Sequence, residues 1–206
     1  MPLEGFDASS GTLRFAEAAA QKSFAFLKVT DGVGSLNKWL DALSTGLRGA
    51  GMKLLGGYHF LRVRHGRAQD ADAQAREFVA HRKAACVDAL PAMLDVELGE
   101  PGCSNRTATR EEIREAVELF IATYRELTDD GLWGYSSPGE IGVMGLALIP
   151  AFTELPLVVA DYEAAEHVPH PFTAVMWQYR GDVLAFGGVI DLLRFNGCLD
   201  DLTKQK

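Results

Sequence analysis

The chain has 206 residues, 48% of them apolar and 23% charged, which fits one globular domain able to fill a core without disulfide staples. Its formal charge of −8 argues against the clustered basic face of a nucleic-acid surface, and no apolar run reaches transmembrane length. Cys86, Cys103 and Cys198 are odd in number and lack metal-ligand spacing, so they read as free thiols of a chain folded in the cytoplasm.

In chain order, Leu3–Ala8 reads as a first strand and residues 23–30 (SFAFLKVT) as a second. Residues 36–50 carry Leu36, Trp39, Leu40, Leu43 and Leu47 at helical spacing and close on Gly51 as a C-cap. Residues 53–60 form a third strand, and residues 68–85 an amphipathic helix with Ala71, Ala75, Phe78 and Val79 on one face. Residues 90–97 (LPAMLDVE) are the fourth strand. Arg110–Leu127 is the clearest helix, opened by the capping box of Thr109 and Glu112. A fifth strand over 131–136 precedes a short helix over 138–146. Beyond it, residues 155–162, 173–179 and 189–195 are strand-like, with intervals too short and too rich in Gly and Pro for a helix.

Five βα units followed by three strands predict an α/β chain folded as a TIM-like (β/α)5(β)3 barrel, with a parallel sheet and helices outside. The rival, an open doubly wound sheet, calls for a glycine-paired phosphate loop after strand one, and Ala8-Ser9-Ser10-Gly11-Thr12 lacks it. No internal repeat divides the chain, so residues 1–206 are expected to form one domain with no separate binding module.

The strongest chemical signal is Asp95-Val96-Glu97 at the end of an apolar strand. Alternation puts both carboxylates on one face and Val96 on the other. Like charges repel, and burial raises the pKa of the more enclosed acid, so one can stay protonated near neutrality while its neighbour ionises. Glycosidic bond cleavage needs that division of labour. The bland alternative is a pair of acids opening the solvated loop at Leu98-Gly99-Glu100. Asp7, Asp161 and Asp191 occupy comparable places on strands one, six and eight, and strand ends in such a barrel converge on one mouth. Any one of them could be a turn former; together they predict a site.

Tyr58, Tyr135, Tyr162, Trp177 and Tyr179 recur at the same ends, where aromatic rings could stack on sugar faces. For each ring alone, core packing is the simpler reading. His59, between Tyr58 and Phe60, should face away from Tyr58 as a structural histidine. His65, His81, His167 and His170 make no metal pattern, and no Gly-x-Ser-x-Gly elbow supports a serine nucleophile. Neither a metal nor a cofactor is expected.

These motifs together resemble family-25 glycoside hydrolases, the Chalaropsis-type lysozymes that include many phage endolysins. Gly5-Phe6-Asp7-Ala8-Ser9 is similar to the family's Gly-Ile-Asp-Val-Ser, and Phe26–Gly32 to its second-strand Lys-Ala-Thr-Glu-Gly. Tyr58-His59-Phe60 with the helix at Ala73-Gln74-Ala75, then Leu94-Asp95-Val96-Glu97, follow in order. Trp177-Gln178-Tyr179 and Val189-Ile190-Asp191-Leu192 complete the series. The resemblance implies the same (β/α)5(β)3 barrel and N-acetylmuramidase activity on peptidoglycan glycan strands, with Glu97 as acid and Asp7, Asp95 and Asp191 as its aspartates. Two departures stand out. Val158 occupies the place of a family Trp, with Asp161 an added acid, and Leu132–Ser137 departs from the usual Ile-Tyr-Thr. Both bear on substrate preference.

Two mechanisms remain open at this point: an aspartate (Asp7 or Asp191) activating water with inversion, or the substrate's own N-acetyl group attacking with Asp95 in support. Two other functions also remain open, a metal-dependent phosphodiesterase and a non-catalytic glycan-binding barrel. The first residues lack the basic and apolar regions of a signal peptide. The expectation is therefore a monomer made in the cytoplasm, without membrane insertion, that reaches the wall through a holin-type hole or a secretion apparatus.

Overall fold

The computed structural model describes residues 2–163 and 170–204, so His167 lies outside the described residues. Eight strands close into a barrel in simple sequence order. They are β1 (Leu3–Ala8), β2 (Phe24–Asp31), β3 (Leu54–Phe60), β4 (Ala92–Asp95), β5 (Leu132–Ser136), β6 (Leu157–Ala160), β7 (Ala174–Ala185) and β8 (Gly188–Phe195). Helices α1 (Phe15–Gln21), α2 (Leu40–Gly49), α3 (Asp70–Ala84), α4 (Arg110–Leu127), α5 (Pro138–Met144) and α6 (Pro150–Thr153) lie between the first six strands, and α7 (Leu199–Lys204) ends the described chain. This is the predicted barrel. Among the described residues no helix is long and apolar enough to cross a membrane.

The departures from expectation have local causes. Helix α1 escapes a periodicity search because its sequence FAEAAAQ buries only Ala18 fully. The helix predicted from residue 36 begins at Leu40; Leu36 instead bridges Thr30, and Asn37 Oδ1 accepts from the Trp39 amide. Strand β7 runs to Ala185, past the predicted end at residue 179, because it pairs with β8 in a hairpin. Phe186 and Gly187 turn that hairpin with φ of 51° and 85°, both left-handed as in a two-residue type I′ turn. A two-residue link cannot cross over, so β8 runs antiparallel to both β7 and β1 and the sheet is not wholly parallel.

Helix α4 begins as predicted. The Thr109 side chain accepts from the Glu112 amide while the Glu112 carboxylate accepts from the Thr109 amide. Its buried stripe, from Ile113 to Tyr124, packs on α3 and the sheet. His59 is fully buried beneath this layer, hydrogen-bonded to Thr30 Oγ1 and Gln74 Oε1 at 2.8 and 2.9 Å and stacked on Phe120. Burial lowers its pKa to about 4, which keeps the ring neutral and makes it the structural histidine expected.

A second apolar cluster fills the barrel itself. Phe24, Phe26 and Trp133 form its floor, and rings stand there because Gly5 and Gly56 carry no Cβ to collide with Phe24 and Phe26. The acids line the cleft above this apolar floor.

Candidate active site

Asp7 lies near the end of β1, and Asp95 is the last residue of β4. Glu97 follows two residues later, beyond the hydrogen-bonded strand. The chain stays extended enough for Val96 to donate its amide to Tyr135 O at 3.0 Å. Val96 is fully buried on the helix side, while Asp95 and Glu97 line one cleft of about 430 Å³ at the barrel mouth. The alternation read from the sequence therefore holds through the triplet. Asp191 reaches the same mouth from the middle of β8, because β8 is antiparallel and pairs Asp191 directly opposite Asp7.

Burial is the largest cause of the raised pKa of each of the four carboxyls in this cleft, and the charges of neighbouring acids add to it for Asp7, Asp95 and Glu97. Asp7 and Asp95 are each 5% exposed, and burial pushes both well above the ordinary aspartate range. Asp191 adds to this for Asp7, and Glu97 for Asp95. Glu97 is raised to about 7, by burial first and by the charge of Glu140 second, with hydrogen bonding to Asp95 and the cation of Lys28 acting the other way. Asp191 is raised by burial against the pull of the Asp182 amide, which donates to its Oδ1 at 2.6 Å. An acid that half-titrates near neutrality, beside partners of different burial, can both give and take a proton.

Gln178 organises the opposite wall. Its Nε2 donates to Asp7 Oδ2 at 2.8 Å, and its Oε1 accepts from Tyr135 Oη at 2.9 Å and from Tyr162 Oη at 2.6 Å. Tyr58 and Tyr135 line the cleft as expected; burial, with the acids around them, raises both phenols and keeps them neutral donors. Tyr162 stands 58% exposed at the rim, tied to the site through Gln178.

Three expected site residues lie elsewhere. Trp177 and Tyr179 flank Gln178 in β7, so when Gln178 points into the mouth they point out of the barrel. Their rings pack together 5.5 Å apart under the Arg194 guanidinium, and Tyr179 Oη donates to Glu4 Oε2 at 2.7 Å. Asp161 does not line the cleft: its Oδ1 accepts from the Glu163 amide, and its carbonyl accepts from Trp177 Nε1. Val158 is fully buried in the barrel interior beside Tyr135.

Sequence reasoning missed Gln178, Lys28, Arg62 and Glu140, all of which line the cleft. The parity of Gln178 against Trp177 was the available signal for the first. Lys28 sits over the rings of Tyr58 and Phe60, and Arg62 forks onto Asp31. Among the described residues no group of three His, Cys, Asp or Glu side chains has the arrangement of a metal site.

Comparison with known proteins agrees with this geometry. A bacterial lysozyme from Streptomyces coelicolor is 25% identical, with a TM-score of 0.78 over 100% of this chain and 97% of that one. A muramidase from Trichobolus zukalii is 26% identical (TM-score 0.78), with 98% of each chain covered. A family GH25 lysozyme from Aspergillus fumigatus is 25% identical (TM-score 0.80), with 100% and 99% covered. No curated protein matches the sequence. The description "Glycosyl hydrolases family 25" matches residues 9–188, a span that holds Asp95 and Glu97, and the chain belongs to that family of glycoside hydrolases.

Proposed function

We propose that the protein is an N-acetylmuramidase that hydrolyses the β-1,4 bond between N-acetylmuramic acid and N-acetylglucosamine in peptidoglycan, with Glu97 as the general acid. The observation that carries this reading is Glu97 itself: a carboxyl at the barrel mouth whose pKa burial and Glu140 raise to about 7. Such a group holds a proton at working pH yet releases it to a leaving glycosidic oxygen. Lysozymes and muramidases among the similar structures support the substrate.

The second half of the reaction falls to Asp95. Its Oδ1 is buried and has no hydrogen-bond partner among the described residues. An unpaired acceptor in that position suits the N–H of a substrate acetamide, which Asp95 would orient so that the acetamide oxygen attacks C1 as Glu97 protonates the leaving oxygen. Water then opens the cyclic intermediate with Glu97 taking its proton, and configuration is retained. Asp7 is hydrogen-bonded to Gln178 and to Asp191, and Asp191, which also accepts from the Asp182 amide, is the carboxylate of that pair that supplies negative potential for the positive charge that develops at C1.

Zymography on purified peptidoglycan tests the activity, and Glu97→Gln tests the acid. The wild type clears the substrate and the folded Glu97→Gln variant does not; clearing at a near wild-type rate by the variant would overturn the assignment.

A further inference from the structure

Helix α5 opens on Ser137-Pro138-Gly139-Glu140, the spacing of a capping box. Half of the box is made: Ser137 Oγ accepts from the Glu140 amide at 3.3 Å. The other half is not. In the box at Thr109 the glutamate returns to its own N-cap amide, but Glu140 Oε1 accepts instead from the amide of Leu98, at 2.9 Å. Ser137 Oγ, 3.2 Å from Glu140 Oε2, fixes the second carboxylate oxygen. Leu98 is the residue directly after Glu97, in the stretch where β4 has already ended. This contact therefore ties the segment carrying Glu97 to α5, and it brings a further carboxylate into the same cleft.

We propose that Glu140 is a positioning residue for Glu97: its carboxylate anchors the chain at Leu98 and sets a negative charge beside the acid. The inference rests on the reading of Glu97 as the acid. A carboxylate in this place does two separable things. As an acceptor it holds the backbone, and a glutamine could do the same. As an anion it disfavours ionisation of Glu97, which glutamine cannot do. Among neighbouring charges Glu140 has the largest effect on Glu97. The other groups that face Glu97 are Asp95 of β4, Lys28 of β2, Asp191 of β8 and Asp7 of β1, with the phenols of Tyr58, Tyr135 and Tyr162. Arg62 and Glu100 line the same cleft; Lys28 is the cation that lowers Glu97, so the Glu140 charge opposes it directly.

The test uses the full chain in three variants, read by the pH dependence of kcat/KM and by carbon NMR titration of the glutamate carboxyls. Glu140→Gln should lower the Glu97 midpoint and the alkaline limb by about one pH unit while leaving the acid-side plateau within about twofold of wild type. Glu140→Ala should show the same shift together with a plateau kcat about tenfold lower, since the anchor is lost as well. Val143→Gly, which weakens α5 at an exposed position and leaves Ser137, Glu140 and the Leu98 contact in place, should keep the wild-type profile, separating fraying of α5 from the proposed role. A Glu140→Gln titration that overlays wild type overturns the charge role, and an unchanged plateau in Glu140→Ala overturns the anchor. If Glu97→Gln stays active, the acid assignment fails; the NMR midpoint of Glu97 still decides whether Glu140 acts on it.

Discussion

Asp7 and Asp191 stand directly opposite one another where β1 pairs with β8, two carboxyls held face to face by strand register. Opposed like charges destabilise a sheet pair. Here the cost is reduced by protonation, by the Gln178 donor on Asp7 and by the Asp182 amide on Asp191.

A pH dependence of stability follows. Asp7, Asp95, Asp191 and Glu97 all have folded pKa values above their unfolded values, which lie near about 4. The native state therefore binds more protons than the unfolded chain between about pH 4 and about 7, and in that window stability falls as pH rises. Acids with lowered values, such as Glu112 at about 2, oppose this only below their unfolded range; His59, lowered to about 4 from the ordinary value near 6.5, opposes it between those values, as one group against four. The urea midpoint should thus be highest near about pH 5 and fall toward pH 8. Asp191→Asn should flatten that slope and raise the midpoint at pH 8 while lowering turnover. A midpoint that climbs from pH 5 to 8 in the wild type would contradict the burial-driven shifts.

Gln178→Leu should cost both activity and stability. The side chain is fully buried and serves Asp7, Tyr135 and Tyr162 at once. Leucine leaves a buried carboxylate and a buried phenol without partners, at about 1–3 kcal/mol for each group that finds no water. Chemical denaturation should record a loss of several kcal/mol, by that scale, and kcat should drop by more than about tenfold. Gln178→Glu distinguishes shape from hydrogen bonding, because it preserves volume but sets a third carboxyl against Asp7.

The fold was legible because its long elements carry strong periodicity: the α4 stripe and its capping box, and the apolar runs of β2, β3 and β4. The site was legible in part for a simple reason, that acids interrupt otherwise uncharged strands. What the sequence hides is direction and distance. Asp191 reads as a residue inside a strand, and only the antiparallel run of β8 explains its arrival at the mouth. Trp177 and Tyr179 share strand seven with Gln178 but have the opposite parity, so grouping aromatics by strand end placed them on the wrong side. Glu140 shows in the sequence only a capping-box spacing from Ser137, since its partner at the site is the amide of Leu98, far away in the chain and identical in type to every other amide.

The outward placement of Trp177 and Tyr179 predicts a dissociation of activity from stability. Tyr179→Phe removes the hydrogen bond to Glu4 on the outer face, and should leave kcat/KM within about twofold while lowering stability by about 0.5–1.5 kcal/mol. Tyr135→Phe, on the inner face, should lower kcat through Gln178 and Asp7. Equal losses of activity in the two variants would return the outer rings to the substrate path.

The stereochemical outcome separates the two carboxylate partners open to Glu97. If Asp95 orients the substrate acetamide, NMR of the first-formed product shows the β-anomer before mutarotation, and a thiazoline mimic of the cyclic intermediate inhibits competitively. Asp95→Asn should then lower kcat steeply, because asparagine cannot stabilise the positive charge that grows on the acetamide, while KM changes little. An α-anomer would instead require a water activated from the far face. In that case Asp7 or Asp191 becomes the base, and Asp95, buried at 5% exposure with its unpaired Oδ1, acts only through Glu97. An Asp95 Oδ1 that accepts from no N–H or O–H of the described residues favours retention, because it is open to the N–H of a substrate acetamide. A substrate N–H would satisfy it, and that gain grows as the acetamide acquires positive charge on the way to the transition state.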